Sequence, residues 1–283
     1  MTVGKDFSVP CANFPIGSLN AKRLLPLNNP LADPLSELTR LTHSLNVSAV
    51  TLLALETATD TCGVALLQDD RVMAEVHLHR PRVHAERLTP LVEDLCRHAD
   101  VETAALDAVA VSMGPGSYTG LRIGVSTAKG WALAAEAELV GVPTLEAYAA
   151  QIRPVAEVGD VICPLLDARR DEVYAAAYLA TPDGLDEQAE TKALTVDALP
   201  EWIGAVEGTL WLLGDGAAKS RDAFASTGTE QRILPPDVVS PSAAWVARRG
   251  KHRLDTHGPA DLATFEPLYV KEVHATPAPS PFE

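Results

Sequence analysis

The segment SMGPGSYTGLRIG, from Ser112 to Gly124, follows an apolar strand candidate and opens a long helical pattern. Its four glycines are Gly114, Gly116, Gly120 and Gly124. Glycine adopts the backbone dihedrals that a tight strand-to-helix turn needs, and it lets N–H groups approach an anion at the positive end of a helix. The segment therefore predicts a strand–turn–helix unit. It leaves open whether the turn holds a phosphate, meets a closely packed partner or binds nothing.

Apolar runs on both sides of this segment predict a mixed α/β chain. In the first half, strands are predicted over 50–55, 62–67, 72–78, 106–111 and 139–142. Helices are predicted there over 83–98, 119–138 and 145–152. The second half repeats the plan, with strands over 161–167, 172–179 and 209–213, a glycine turn at 214–216 and a helical stretch over 217–224. This duplication predicts two similar lobes that face one cleft.

Proline content and hydropathy set the expected domain boundaries. Five prolines interrupt residues 1–48, which we expect to form a poorly ordered N-terminal extension. The first lobe is predicted over 49–150 and the second over 151–276. A proline-rich stretch over 277–283 is predicted to be a loose tail.

Composition excludes several classes of function. The net charge of −15 argues against strong, independent binding of nucleic acid, because such binding relies on Lys and Arg contacts to phosphate. The four cysteines are far apart and form no CxxC pair, as expected for free thiols in a reducing cytosol. No apolar run reaches the roughly 18 residues of a membrane span. We therefore expect a cytoplasmic protein without a membrane segment.

Two catalytic or metal-binding patterns fail on spacing. A serine-hydrolase nucleophile elbow needs Gly-x-Ser-x-Gly, but Ser117 directly follows Gly116, and Gly120 comes three residues later. Four histidines cluster in the sequence, at His77, His79, His84 and His98. No carboxylate at a suitable spacing completes a zinc site with them. The sequence therefore predicts neither serine hydrolysis nor a metal centre.

Six segments together resemble one family, the bacterial TsaB proteins of the actin-like, sugar-kinase and Hsp70 ATPase superfamily. They are LALETATDTCGVALL, RVHAERLTPLVEDL, SMGPGSYTGLRIGVSTAKGWALA, GVPTLEAYAA, LLDARRDEVYAAAY and EPLYVKE, within residues 50–272. The resemblance implies an α/β fold of two RNase H-like lobes. It also implies a non-catalytic subunit that pairs with TsaD, acts with the ATPase TsaE and ATP, and forms homodimers. Such a subunit reaches tRNA only through the complex that makes threonylcarbamoyladenosine beside the anticodon, and it needs no cofactor of its own.

Two departures from related enzymes argue against chemistry in this chain. TsaD proteins look similar around the glycine segment but carry His-x-x-x-His on a later helix, where Thr144 and Tyr148 stand here. A hydroxyl and a phenol with a pKa near 10 are poor ligands for a catalytic cation. Glu56 stands where many members of the superfamily carry Asp, which argues against a conventional magnesium-nucleotide contact. The phosphate turns that the resemblance identifies are therefore predicted to be vestigial, at Glu56, Thr57, Gly114, Gly116, Ser117, Gly214, Asp215 and Gly216.

The helix after the glycine segment places Gly120, Gly124 and Ala128 on one face, where another helix can approach closely. Packing inside the lobe is the alternative use of this face. Because TsaB proteins pair through helices of this lobe, we favour a partner interface shared with the preceding helix. Its predicted residues are His84, Leu88, Leu91, Leu95, Gly120, Leu121, Arg122, Gly124, Val125 and Ala128.

Other functions remain open at this point. A stand-alone small-molecule kinase or ATPase would need a working phosphate cleft built from Thr57, Thr59, Ser117 and residues 214–216. A binding protein without any link to tRNA is a third possibility. The charged hairpin turn formed by Asp167, Arg169, Arg170 and Asp171 is either a solvated turn or a docking edge for a partner.

Overall fold

The computed structural model describes residues 49–225 and 227–271. The N-terminal extension predicted over 1–48 and the tail predicted over 277–283 lie outside the described residues. Among the described residues, no helix is long and apolar enough to cross a membrane.

Ten strands form two sheets of five in the described part of the chain. The first sheet contains β1 (Thr51–Glu56), β2 (Thr61–Gln68), β3 (Arg71–His79), β4 (Ala108–Gly114) and β5 (Glu138–Pro143). The second contains β6 (Val161–Asp167), β7 (Glu172–Thr181), β8 (Gly184–Thr195), β9 (Leu210–Leu213) and β10 (Gln231–Leu234). The α-helices are α1 (His84–His98), α2 (Tyr118–Ala135), α3 (Thr144–Ile152), α4 (Leu199–Ile203) and α5 (Ala243–His257).

The two sheets repeat one topology. The first has the order β3-β2-β1-β4-β5, and the second has the matching order β8-β7-β6-β9-β10. In each sheet the first three strands are antiparallel neighbours, and the last two continue parallel to the first. The central strands β1 and β6 are buried almost throughout, which explains their continuous apolar sequence. The predicted α/β fold of two RNase H-like lobes is confirmed.

Helices cover both faces of the first sheet. α1 and α2 pack on one face, around a core that includes Leu53, Leu88 and Val125. α5 packs on the other face, and a Cβ added at Gly250 would lie 2.5 Å from the Cβ of Ala110. The sequence pattern did not predict α5. It comes from the C-terminal part of the chain but completes the core of the first lobe.

Two helix predictions were wrong, one in where the helix ends and one in the type of helix. The helix predicted to reach residue 138 ends at Ala135, because Glu136 adopts the left-handed conformation with φ of 54° and its N–H bonds back to the last turn. The helical stretch predicted over 217–224 consists of two short 3-10 turns, Ala218–Ser220 and Asp222–Phe224.

Residues 258–271 form a C-terminal strap that touches both lobes. On the first lobe, the Ala260 N–H donates to the Leu139 carbonyl and the Leu268 N–H donates to the Met113 carbonyl, both at 2.7 Å. On the second lobe, the Lys271 ammonium lies 2.5 Å from Glu172 Oε2. The strap therefore fastens the glycine segment of one lobe to the β6–β7 hairpin of the other.

Candidate functional site

A cleft of about 910 Å³ lies between the two lobes. The first lobe lines it with the turn after β1 and with the glycine segment. The second lobe contributes the β6–β7 hairpin and the turn after β9, and the strap forms part of the rim. The main lining segments are 58–61, 115–119, 166–170 and 268–271. The topology thus brings both predicted phosphate turns to one cavity, as the duplicated sequence pattern indicated.

The glycine segment packs directly on the turn after β1. A Cβ added at Gly116 would lie 2.2 Å from the Ala58 carbonyl oxygen, and one at Gly120 would lie 2.1 Å from the Thr57 carbonyl oxygen. A Cβ at Gly124 would lie 2.1 Å from Thr57 Oγ1. The glycines are therefore needed for close packing inside the lobe, which is the alternative that the sequence left open.

Two amides of this turn already have partners. The Ser117 N–H donates to the Ala58 carbonyl at 2.7 Å, and the Gly120 N–H donates to Ser117 Oγ at 3.3 Å. Gly114 has a φ of 125°, and a Cβ there would lie 2.4 Å from the carbonyl oxygen of Leu268 in the strap. A phosphate needs free N–H groups at such a turn. In this chain, the Ser117 N–H holds the two turns together, and the Gly120 N–H caps the start of α2.

Glu56 points into the protein rather than toward the cleft. One of its carboxyl oxygens accepts the Ala58 N–H at 2.8 Å, and the other accepts the Ser112 hydroxyl. The residue is only 1% exposed, and this burial raises the pKa of the carboxyl although both hydrogen bonds act against the rise. A buried carboxyl whose two oxygens are engaged in this way is a poor ligand for a magnesium ion.

We expect Glu56→Gln to remove one contribution to the pH dependence of folding. Because the folded carboxyl holds its proton to a higher pH than the unfolded one, it lowers the free energy of unfolding as pH rises above the ordinary Glu range. Glutamine has the same shape and can donate to Ser112 while accepting from Ala58. The stability difference between variant and wild type should therefore grow in favour of the variant from pH 5 to pH 8, measured by urea unfolding.

Glu56→Ala is the matched control for that substitution. It leaves the Ala58 N–H and the Ser112 hydroxyl without their partner, and so we expect it to lower the free energy of unfolding by about 2 kcal/mol. A stability difference between Glu56→Gln and wild type that stays constant between pH 5 and pH 8 would contradict a raised pKa at this position.

The corresponding turn of the second lobe is also closed by internal hydrogen bonds. Gly214 has a φ of 94°, and a Cβ there would lie 2.3 Å from the Leu165 carbonyl oxygen. The Gly216 N–H donates to the same carbonyl at 3.0 Å. Asp215 lines the cleft, where its Oδ1 accepts the Asp167 N–H at 2.8 Å and burial raises the pKa of its carboxyl.

The positions that match the histidines of TsaD carry hydroxyl groups that are largely buried. Thr144 is fully buried with no hydrogen-bond partner for Oγ1, and Tyr148 is buried in the wall of the cleft. His79 and His84 both bond to Thr61, through its hydroxyl and its carbonyl respectively. Within 49–225 and 227–271, no three His, Cys, Asp or Glu side chains are arranged to hold a metal ion.

The sequence has close relatives among characterised families. A family model described as TsaD, tRNA N6-adenosine threonylcarbamoyltransferase, matches residues 72–208. The tRNA threonylcarbamoyladenosine biosynthesis protein TsaB of Escherichia coli strain K12 is 38% identical over 226 residues, which cover 78% of this chain and 94% of that protein. The chain belongs to the TsaB family. TsaB of Bacillus subtilis strain 168 is 39% identical over 214 residues, covering 74% of this chain and 91% of the relative.

Two solved structures resemble this chain in fold. YeaZ from Pseudomonas aeruginosa matches with a TM-score of 0.63 and 26% identity, covering 78% of this chain and 99% of that one. A second Pseudomonas aeruginosa structure, described as an uncharacterised protein with similarity to peptidase YEAZ, matches with a TM-score of 0.67 and 27% identity, covering 78% and 100%. Both structures share the fold of this chain, and each alignment covers 78% of it.

In this TsaB family member, most residues of the predicted interface face the interior. The eight buried ones are His84, Leu88, Leu95, Gly120, Leu121, Gly124, Val125 and Ala128. Leu91 is half-buried and Arg122 is exposed. The His84 ring bonds to the Thr61 carbonyl at 3.1 Å, so it fixes the start of α1 to the sheet.

The outer face of α2 carries a second series of small residues. Ser126, Gly130 and Ala134 are exposed at the same four-residue spacing, and Leu133 beside them is 69% exposed. A Cβ added at Gly130 would have no atom within 4 Å. The sequence pattern missed this face because small residues recur at helical spacing on both sides of α2.

Proposed function

We propose that this chain is a non-catalytic subunit of the complex that makes threonylcarbamoyladenosine beside the anticodon of tRNA, pairing with TsaD and acting with TsaE. Family membership supports participation in this biosynthesis, since the TsaB relatives are named for it. The observation that carries the non-catalytic role is the closed state of the phosphate turns. The Ser117 and Gly120 amides of the glycine segment donate to the chain itself, and Glu56 is engaged by Ala58 and Ser112.

The outer face of α2 supports pairing with a partner. Only two of the 18 residues in this helix are charged, Arg122 and Lys129, and the Lys129 ammonium bonds to carbonyls of the strap. A largely uncharged, exposed helix face is typical of a surface that becomes covered. The TsaD family model matches residues 72–208, which include α1 and α2, so TsaD is expected to carry equivalent helices. We therefore assign TsaD to this face, with a second copy of this chain competing for it.

A stand-alone kinase or ATPase is the alternative function. It would need Thr57 and the glycine turns to open toward a nucleotide, but Thr57 is fully buried under Gly120 and Gly124. This arrangement favours an accessory role.

Reconstitution tests the proposal. We expect omission of this chain to lower the rate of tRNA modification at least tenfold in a reaction that contains its own organism's TsaD and TsaE, ATP, a threonylcarbamoyl donor and unmodified tRNA. The purified chain alone should hydrolyse no ATP in the presence of magnesium. Full modification without the chain would overturn the proposal, and steady ATP turnover by the chain alone would favour the kinase or ATPase.

A further inference from the structure

Two consecutive arginines occupy the turn of the β6–β7 hairpin at the rim of the cleft. Arg169 and Arg170 have φ values of 69° and 56°, so both adopt the left-handed conformation in the loop that joins β6 to β7. Glycine and asparagine adopt this conformation readily, whereas a long side chain at either position is strained. Both side chains are exposed and line the cleft. The chain therefore keeps two cations where a relaxed backbone would select other residues, and this points to a use for their side chains.

Two of the carboxylates beside these arginines are paired with lysines. Asp167 is paired with Lys219, and Glu172 is paired with Lys271, each at 2.5 Å. In the described part of the chain, neither Arg169 nor Arg170 has a carboxylate within 4.0 Å, and the same holds for Arg122, which lies beside Tyr118. Asp60 and Asp215 also line the cleft, but Arg169 and Arg170 are guanidinium groups at the rim that no carboxylate holds directly.

The opposite side of the rim presents aromatic surface. The rings of Tyr118 and Tyr269 lie with centroids 5.0 Å apart, and they are 41% and 40% exposed. Arg122 extends the cluster, since its Nη1 donates to the Tyr118 hydroxyl at 2.9 Å. Both tyrosines line the same cleft as Arg169 and Arg170. Exposed aromatic rings next to guanidinium groups are the elements that bind unpaired bases and their phosphates.

We propose that this rim, formed by Tyr118, Arg122, Arg169, Arg170 and Tyr269, binds an unpaired stretch of RNA. The arginines would contact phosphates, and the tyrosines would stack on bases. This inference rests on the proposed function, because the tRNA that the complex modifies has unpaired bases in its anticodon loop. An acidic peptide would use the arginines but leave the aromatic rings without a role, so the pairing of the two groups favours RNA. The acidic surface elsewhere limits affinity, and the site therefore acts inside the complex.

The double variant Arg169→Asn/Arg170→Gly tests the cationic half of the site. It removes both cations and supplies residues that adopt the left-handed conformation readily, so the fold is expected to be kept. In the reconstituted complex, we expect the KM for tRNA to rise about tenfold while kcat stays within twofold. Binding of tRNA should also depend less steeply on salt concentration, because fewer phosphate contacts are made.

Matched variants separate the possible occupants. Arg71→Ala/Arg221→Ala removes the same charge from exposed positions outside the cleft, and its KM for tRNA should change less than twofold. Tyr118→Leu/Tyr269→Leu should raise the KM for tRNA at least threefold with an unchanged salt dependence.

An unchanged KM for tRNA in Arg169→Asn/Arg170→Gly would overturn the inference. Loss of co-elution with TsaD or TsaE at unchanged tRNA affinity would overturn it too, because the rim would then bind protein. Modification that proceeds without this chain would instead contradict the proposed function.

Discussion

Replacing Gly120 by alanine is expected to lower the free energy of unfolding by about 3 kcal/mol, which makes it a severe substitution for a single methyl group. The added Cβ would lie 2.1 Å from the backbone carbonyl oxygen of Thr57. That oxygen belongs to the buried turn after β1, and so it cannot move without displacing the sheet. Urea unfolding followed by circular dichroism measures the loss.

Gly130→Ala is the control within the same helix. A Cβ at this position meets no atom within 4 Å, and alanine is favoured over glycine inside a helix by up to about 1 kcal/mol. We therefore expect Gly130→Ala to raise the free energy of unfolding by about 0.5–1 kcal/mol. Equal effects at positions 120 and 130 would contradict the orientation of α2.

The second prediction concerns the outer face of the same helix. We expect Gly130→Arg to weaken pairing with TsaD at least 100-fold, because a long cation would stand in the middle of the largely uncharged face formed by Ser126, Gly130, Leu133 and Ala134. The free energy of unfolding should change by less than about 1 kcal/mol, since position 130 is open to solvent. Isothermal titration calorimetry with TsaD measures the affinity.

Thr256→Arg, on the exposed end of α5, is the control for an added cation and should pair like the wild type. If Gly130→Arg binds TsaD with wild-type affinity, the outer face of α2 is not the surface that binds TsaD. Gly124→Arg, which the sequence pattern alone would select for the same purpose, cannot make this test. Its side chain would collide with the Thr57 side chain and unfold the lobe.

The sequence predicted the parts of the fold whose pattern is local. Buried strands such as β1 and β6 are continuous apolar runs, and the glycine segment marks its own turn. The sequence pattern did not predict the long strand β8, because its acidic residues are typical of an exposed loop. α5 has a polar sequence with several cations, and only its contacts with the first sheet explain its place.

The sequence predicted which segments line the candidate site but not which way their side chains face. Glu56 was singled out as a departure from Asp, yet its hydrogen bonds to Ala58 and Ser112 depend on how two distant segments meet. The face of α2 that turns inward depends on where Thr57 lies, which no spacing along the helix can reveal. The tyrosine pair joins positions 118 and 269, which are far apart in the chain. Their proximity could not be predicted without knowing the path of the strap.

The late position of α5 has a consequence for synthesis on the ribosome. All five strands of the first sheet precede residue 144, but the helix that covers one face of that sheet spans Ala243–His257. While the second lobe is being translated, the apolar surface around Leu52, Ala65 and Ala110 has no cover. The nascent chain therefore exposes the apolar face of an incomplete first lobe until residues 243–257 have been synthesised, and we expect chaperones to bind it during that interval.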